Sequence, residues 1–202
     1  MLITKLSKQG KYKVQVELDE EYAFFLYTKE IKRLGLEEGD ELSEQLIEEI
    51  YRLILFPRAK EKALSLLQYR NRTKKELSQK LLQNGYPQDI IERVMFFLDE
   101  YHLIDDEAYT RSFIELNSRR KSRRQMEHDL SLKGITKEMF MRIWEEQEDD
   151  PEERSLKEQI EKRVRVKGMI DDKNFQKFFS YFARKGYSPA MICRLLKEYQ
   201  SE

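Results

Sequence analysis

The feature that most constrains this chain is a residue pattern that occurs three times. A hydroxyl or amide residue is followed at four-residue steps by two apolar residues and then by glycine. The three copies begin at Thr73, Ser122 and Asn174, so their starts lie 49 and 52 residues apart. A regular period of this size indicates one supersecondary unit used three times.

Helical signals surround each copy of the pattern. Thr73 with Glu76, and Ser122 with Gln125, have the spacing of capping boxes, and Asn174 takes the cap position in the third copy. Gly85 is placed to end a helix in left-handed geometry. Apolar residues recur at helical spacing before and after each capped segment. The sequence therefore predicts a mainly α fold of three tandem three-helix-bundle repeats, over residues 57–103, 104–146 and 147–202.

Residues 1–56 show a different pattern, which predicts a small strand-rich extension with one helix. Polar and apolar residues alternate from Lys11 to Leu18, as in a half-buried strand, and flanking segments supply two further strand candidates. A three-stranded meander needs a helix to cover it. Ser43 is placed to cap that helix, which we expect to end at Phe56 because Pro57 disfavours helical geometry in the residue before it.

Charge is balanced over the whole chain but not along it. The 202 residues carry 38 basic and 38 acidic side chains, yet residues 57–144 hold eighteen basic and thirteen acidic ones, and residues 1–56 hold eight and twelve. The single cysteine, Cys193, excludes an internal disulfide and favours a reducing compartment. No secretory signal or bilayer-spanning apolar run is present in the sequence, so we expect a cytoplasmic protein.

Residues that carry catalysis in other proteins do not form a recognisable set here. His102 and His128 have no cysteine partner at metal-ligand spacing, and no glycine-rich phosphate loop occurs. The acids at 105–107 suit a helix N-terminus better than a cation site. The sequence predicts a non-enzymatic protein with no cofactor and no metal.

Two basic clusters sit at the capped helix starts, where cations oppose the helix dipole. They surround Thr73 and Ser122 and consist of Arg70, Arg72, Lys74 and Lys75, and of Arg119, Arg120, Lys121, Arg123 and Arg124. Helix N–H groups, dipole and side chains together favour an anion, either nucleic-acid phosphate or an acidic protein surface. The alternative is a solvated basic face that pairs with nearby acids.

Two other segments leave alternatives open. In the third copy Phe175 stands where the other copies have Lys74 and Arg123, and Phe179 also replaces a polar residue. Phe175, Phe178, Phe179 and Phe182 therefore form an apolar stripe, which either packs within the protein or binds a partner. The acidic segment 145–153 is either a linker or a charged helix end.

Several motifs follow one another in residues 58–135. They are Arg58-Ala59-Lys60 with Ala63-Leu64, Arg70 to Leu77, Gly85-Tyr86, Leu103 to Tyr109 with Arg111 and Phe113, and Leu130 to Ile135. Together, and in this order, they resemble the RecX family, the bacterial modulators of the RecA recombinase. The third repeat matches in pattern rather than in residue, and residues 1–56 look like the strand-rich extension of some members.

The resemblance implies an elongated, curved array of three-helix repeats that binds the RecA filament on DNA. It further implies inhibition of the ATPase, strand-exchange and co-protease activities of RecA, in recombination, DNA repair and the SOS response. We expect a monomer that contacts single-stranded DNA weakly and does not bind a membrane. The alternative is a helix-turn-helix-like regulator that binds DNA directly, with Arg93 and Arg142 as its main candidates for base contact.

Overall fold

The computed structural model describes residues 1–147 and 151–200 of the chain. It divides into two compact units, Met1–Ile104 and Asp105–Glu202. Helices dominate both units, and the first also holds a small antiparallel sheet. The predicted fold class, mainly α with a strand-rich N-terminal extension, is confirmed.

The sheet is a three-stranded meander built from β1 (Ile3–Gln9), β2 (Lys13–Leu18) and β3 (Glu21–Tyr27). Its strands pair in the order β1-β2-β3, and Val16 lies opposite Leu6 on one side and Phe24 on the other. The alternation predicted from Lys11 to Leu18 is confirmed within β2, because Val14, Val16 and Leu18 are buried. It is wrong for Tyr12, which precedes the strand and is 60% exposed.

Helices cover the sheet, as the short meander requires. The ring of Phe24 meets that of Tyr51 edge-on, with 5.8 Å between centroids. Val16, Ile50 and Leu55 belong to the same buried core as Phe24. A short helix, α1 (Thr28–Leu34), follows β3 directly and was not predicted.

The helix that precedes Pro57 does not end at Phe56. Ser43 caps α2 (Glu44–Ile50) as predicted, but a π-helical turn (Tyr51–Leu55) then leads without a break into α3 (Phe56–Tyr69). The Phe56 N–H donates to the Tyr51 carbonyl, five residues back. This wider turn accommodates Pro57, which lacks an N–H and carries a bulky ring. The predicted end at Phe56 is therefore wrong.

Two further helices, α4 (Lys74–Gln83) and α5 (Gln88–Glu100), complete the first unit. The turn between them is tied to the sheet. Lys13 Nζ donates to the Asn84 carbonyl at 2.9 Å, and the Tyr22 hydroxyl donates to the Gly85 carbonyl. Gly85 has a φ of +86°, as predicted for a residue that ends a helix in left-handed geometry.

The second unit consists of six helices in its described part. They are α6 (Asp106–Asn117), α7 (Arg123–Leu132), α8 (Lys137–Glu145), α9 (Pro151–Lys167), α10 (Phe175–Arg184) and α11 (Pro189–Glu198). Met126 and Phe140 lie in one buried cluster of this unit, and Ile160 and Phe182 lie in another. The boundaries of the four-part division of the chain stay a prediction.

Two local expectations in the second unit have a different outcome. Asn174 precedes α10 but makes no side-chain cap; its side-chain oxygen accepts instead from the Asp171 N–H at 3.1 Å. The cap prediction for Asn174 is therefore wrong, because the amide serves the preceding turn. The acidic segment 145–153 is only partly described: α8 ends at Glu145, α9 begins at Pro151, and the linker prediction for 148–150 lies outside the described residues.

Candidate functional site

Both predicted capping boxes are present and fix the helix starts around which the basic residues lie. Thr73 Oγ1 accepts from the Glu76 N–H at 3.2 Å, and a Glu76 carboxylate oxygen accepts from the Thr73 N–H at 3.3 Å. Ser122 and Gln125 repeat this arrangement, at 3.2 Å for both bonds. The backbone of both helix starts is therefore rigidly defined.

The cations of the first cluster have different roles. Arg72 is only 8% exposed, and its Nε donates to the Leu66 carbonyl in the last turn of α3, at 3.4 Å. Lys74 Nζ lies 2.7 Å from a carboxylate oxygen of Asp99. Arg70 and Lys75 are exposed. The structure thus uses Arg72 and Lys74 within the first unit and leaves Arg70 and Lys75 facing solvent.

In the second cluster, Arg123 contributes to packing. Its guanidinium lies 5.9 Å from the Trp144 ring centre and its Nη2 lies 2.6 Å from Met141 Sδ. Its backbone N–H, at the start of α7, donates to a carboxylate oxygen of Glu152 at 3.1 Å. A side chain of the protein itself therefore already occupies part of the anion position predicted at this helix start.

The other cations of the second cluster are more accessible. Lys121 pairs with Asp129 at 2.6 Å, and Arg119 lies 3.8 Å from Glu158. Arg120 and Arg124 are exposed and form no ion pair with any residue in the described ranges. These two arginines are the clearest candidates for an external anion.

The fold adds cations that the sequence analysis did not single out. One groove brings Arg119 and Arg120 together with basic residues of α9 and of the end of α10, namely Lys162, Arg163, Lys167 and Lys185. A neighbouring groove of about 720 Å³ is lined in part by Lys121, Arg124, Arg184 and Lys185. A sequence signal was available in α9, where Lys162, Arg163 and Lys167 fall within two helical turns.

The phenylalanine stripe of the third copy is a packing feature. Phe178 and Phe182 are buried in the core of the second unit, and the partly buried Phe175 and Phe179 pack against it together with Val164 and Tyr199. The packing alternative is therefore confirmed.

The two arginines required by the helix-turn-helix alternative are both held by carboxylates. Arg93 donates to both oxygens of Glu48, at 2.7 and 2.8 Å, and Arg142 donates to both oxygens of Glu107. These bonds raise the pKa of both guanidinium groups and lower the pKa of both carboxyl groups. Bidentate pairing competes with base recognition, since it uses the same donors.

No group of three or more His, Cys, Asp or Glu side chains that could hold a metal ion occurs in the described part of the chain. No helix within residues 1–147 and 151–200 is long and apolar enough to cross a membrane.

Comparison with known proteins decides the family. The model of the first three-helix domain of RecX matches residues 59–98. A regulatory protein RecX of Clostridium acetobutylicum is 31% identical over 211 residues, which cover 99% of this chain and 97% of the relative. This chain belongs to the RecX family. A second RecX, from Caldanaerobacter subterraneus, is 32% identical over 147 residues, covering 72% of this chain and 75% of its own.

Solved RecX structures share the fold. A crystal structure of regulatory protein RecX superposes with a TM-score of 0.65 at 23% identity and covers 98% of both chains. RecX from Lactobacillus salivarius gives a TM-score of 0.64, also at 23% identity, over 71% of this chain and 96% of its own. The relatives are named regulatory proteins, which agrees with the predicted non-enzymatic role.

Proposed function

We propose that this protein binds the RecA filament on DNA and restrains its ATPase, strand-exchange and co-protease activities, as a monomer in the cytoplasm. Membership of the RecX family, across nearly the whole chain, is the observation that carries this proposal. We propose in addition that the strand-rich extension, 1–56, and the three repeats, 57–103, 104–146 and 147–202, act as successive modules on the filament.

The exposed cations are the proposed contact surface. Arg120 and Arg124 project near the rigid start of α7, and Arg70 and Lys75 are exposed near the start of α4. Exposed, unpaired cations can neutralise DNA phosphates or filament carboxylates without first breaking an internal ion pair. Lys121 and Arg119, which pair with acids, and Arg72, Lys74 and Arg123, which have internal contacts, are expected to contribute less.

The experiment measures ATP hydrolysis by RecA on single-stranded DNA while this protein is titrated in. The wild-type chain should lower the rate, and Arg120→Glu with Arg124→Glu should require at least about tenfold more protein for the same effect, which corresponds to about 1.4 kcal/mol. The control is Arg165→Glu with Lys177→Glu, which reverses two exposed charges elsewhere in the same unit. Equal inhibition by both double variants would mean that Arg120 and Arg124 are only solvated surface.

A further inference from the structure

A groove of about 360 Å³ in the second unit is lined mainly by cations. It lies between the α6–α7 turn, α9 and the end of α10. Its lining contains six basic side chains and, within the described residues, no carboxylate; the basic ones are Arg119, Arg120, Lys162, Arg163, Lys167 and Lys185. Glu158 is close by, 3.8 Å from Arg119 and 3.7 Å from Lys162. This excess of positive charge suits a polyanion.

Hydrogen bonds that are buried or partly buried hold the groove in shape. Lys185 Nζ donates to the side-chain oxygen of Gln159. Gln159 is buried, and its side-chain N–H donates to Ser155 Oγ at 3.1 Å. The Lys185 carbonyl accepts from Ser122 Oγ at 2.6 Å, which joins the end of α10 to the start of α7. A charged surface that is ordered before binding loses less entropy when the ligand arrives.

An aromatic ring lies among the cations. The Arg163 guanidinium stacks over Tyr181, 3.7 Å from the ring centre, and its Nε is buried with no hydrogen-bond partner in the described structure. Val166, on the same wall, is 76% exposed. Cations interleaved with an aromatic and an apolar side chain are typical of surfaces that bind single strands, where phosphates meet the charges and bases meet the rings.

We propose that this groove binds the backbone of single-stranded DNA, with phosphates on Lys162, Lys167 and Arg120 and a base against the stacked pair of Arg163 and Tyr181. Lys162 and Lys167 are five residues apart on α9, about 7.5 Å along the helix axis, which spans about two phosphates of one strand. The inference deepens the proposed function, on which it rests for its setting, by naming the DNA strand as the anion. Its test does not involve RecA.

The test is fluorescence anisotropy of a labelled oligo-dT with this protein alone, at a series of salt concentrations. Changing Lys162→Gln with Lys167→Gln should weaken binding at least tenfold. It should also reduce the slope of log K against log salt by about 1.4, since each phosphate contact on a single strand contributes about 0.7. The control, Arg165→Gln with Lys177→Gln, removes two exposed cations from α9 and α10 outside the groove and should leave affinity within twofold. Circular dichroism checks that both variants are folded.

Three results would overturn the inference. One is an equal loss of affinity in both double variants, which would mean unspecific charge attraction. Another is equally tight binding of duplex DNA of the same length. The third is displacement of oligo-dT by ATP or inorganic phosphate at matched phosphate concentration, which would assign the groove to a small phosphate ligand. If the protein inhibits RecA but does not bind oligo-dT, the assignment of single-stranded DNA to the groove is refuted and the proposed function stands. If it binds oligo-dT but does not inhibit RecA, the proposed function is refuted and the assignment of the groove stands.

Discussion

Arg123 and Arg124 are neighbours in the sequence, but their removal should have opposite effects on stability. Both lie in the first turn of α7, where a cation opposes the helix dipole. Arg124 is exposed, whereas Arg123 is half-buried against Trp144 and Met141. Replacing each in turn by alanine separates a surface charge from a packed one.

The expected difference follows from these contacts. Removing either cation relieves about 0.3–1 kcal/mol of unfavourable dipole interaction, so this contribution cancels between the two variants. Arg123→Ala also loses the cation–π contact with Trp144, about 0.5–1 kcal/mol. It loses in addition the burial of one or two methylenes of the stem, about 0.8 kcal/mol each. Arg123→Ala should therefore be less stable than Arg124→Ala by about 2 kcal/mol.

Differential scanning calorimetry measures this difference. For a unit of about 100 residues, 1 kcal/mol corresponds to roughly 4–8 °C in Tm, so the two variants should differ by about 8 °C or more. Arg124→Ala should match or exceed the wild-type Tm. Equal Tm values for the two variants, or a lower one for Arg124→Ala, would refute the separate roles of these arginines.

Three further predictions concern the helix caps, a glycine and an acid-sensitive ion pair. Ser122→Ala should lower the free energy of unfolding in urea by about 2 kcal/mol, because Ser122 Oγ both caps α7 and donates to the Lys185 carbonyl. Thr136 is an exposed cap, so Thr136→Ala should lower it by only about 1 kcal/mol. Equal losses in the two variants would contradict this difference. Gly186 and Gly168 both have a φ near +90°, so alanine is strained at either position. Only at Gly186 would a Cβ also meet Ser122 Oγ and Arg124 Cβ, at 3.1 and 3.2 Å, so Gly186→Ala should destabilise the protein more than Gly168→Ala. Similar losses of stability would show that strain in φ is the whole effect. Hydrogen bonds from Arg194 and Lys157 lower the pKa of Glu153 from 4.5 to about 2, so its ionised form stabilises the fold above pH 4.5 and that contribution is lost as the pH falls towards 2. The stability gap between wild type and Glu153→Gln should accordingly narrow from pH 5 to pH 2, and a gap independent of pH would exclude this pair as its source.

Local rules predicted those features that depend on a few neighbouring residues. The capping boxes at Thr73 and Ser122 form within four residues, so their spacing in the sequence was sufficient. The same rules were wrong at Pro57. There, continuing the helix keeps Leu55 and Ala59 fully buried in the core of the first unit, and this burial outweighs the local preference for a break.

The candidate site was only partly predictable, because burial and pairing depend on distant residues. Arg70 and Arg72 are two residues apart, yet Arg70 faces solvent and Arg72 donates a hydrogen bond to a carbonyl in the last turn of α3. Glu152, which binds the start of α7, comes from a helix about thirty residues further along the chain. The groove joins Arg119 to Lys185 across 66 residues, so the three cations close together in α9 were not a sufficient signal to predict it.

The most direct test of the central claim is the steady-state rate of ATP hydrolysis by RecA on single-stranded DNA, with this protein well below the RecA concentration. A regulator that acts on the assembled filament should lower the rate although most RecA subunits have no bound copy of it. An unchanged rate, even at equimolar protein, would contradict the proposed function.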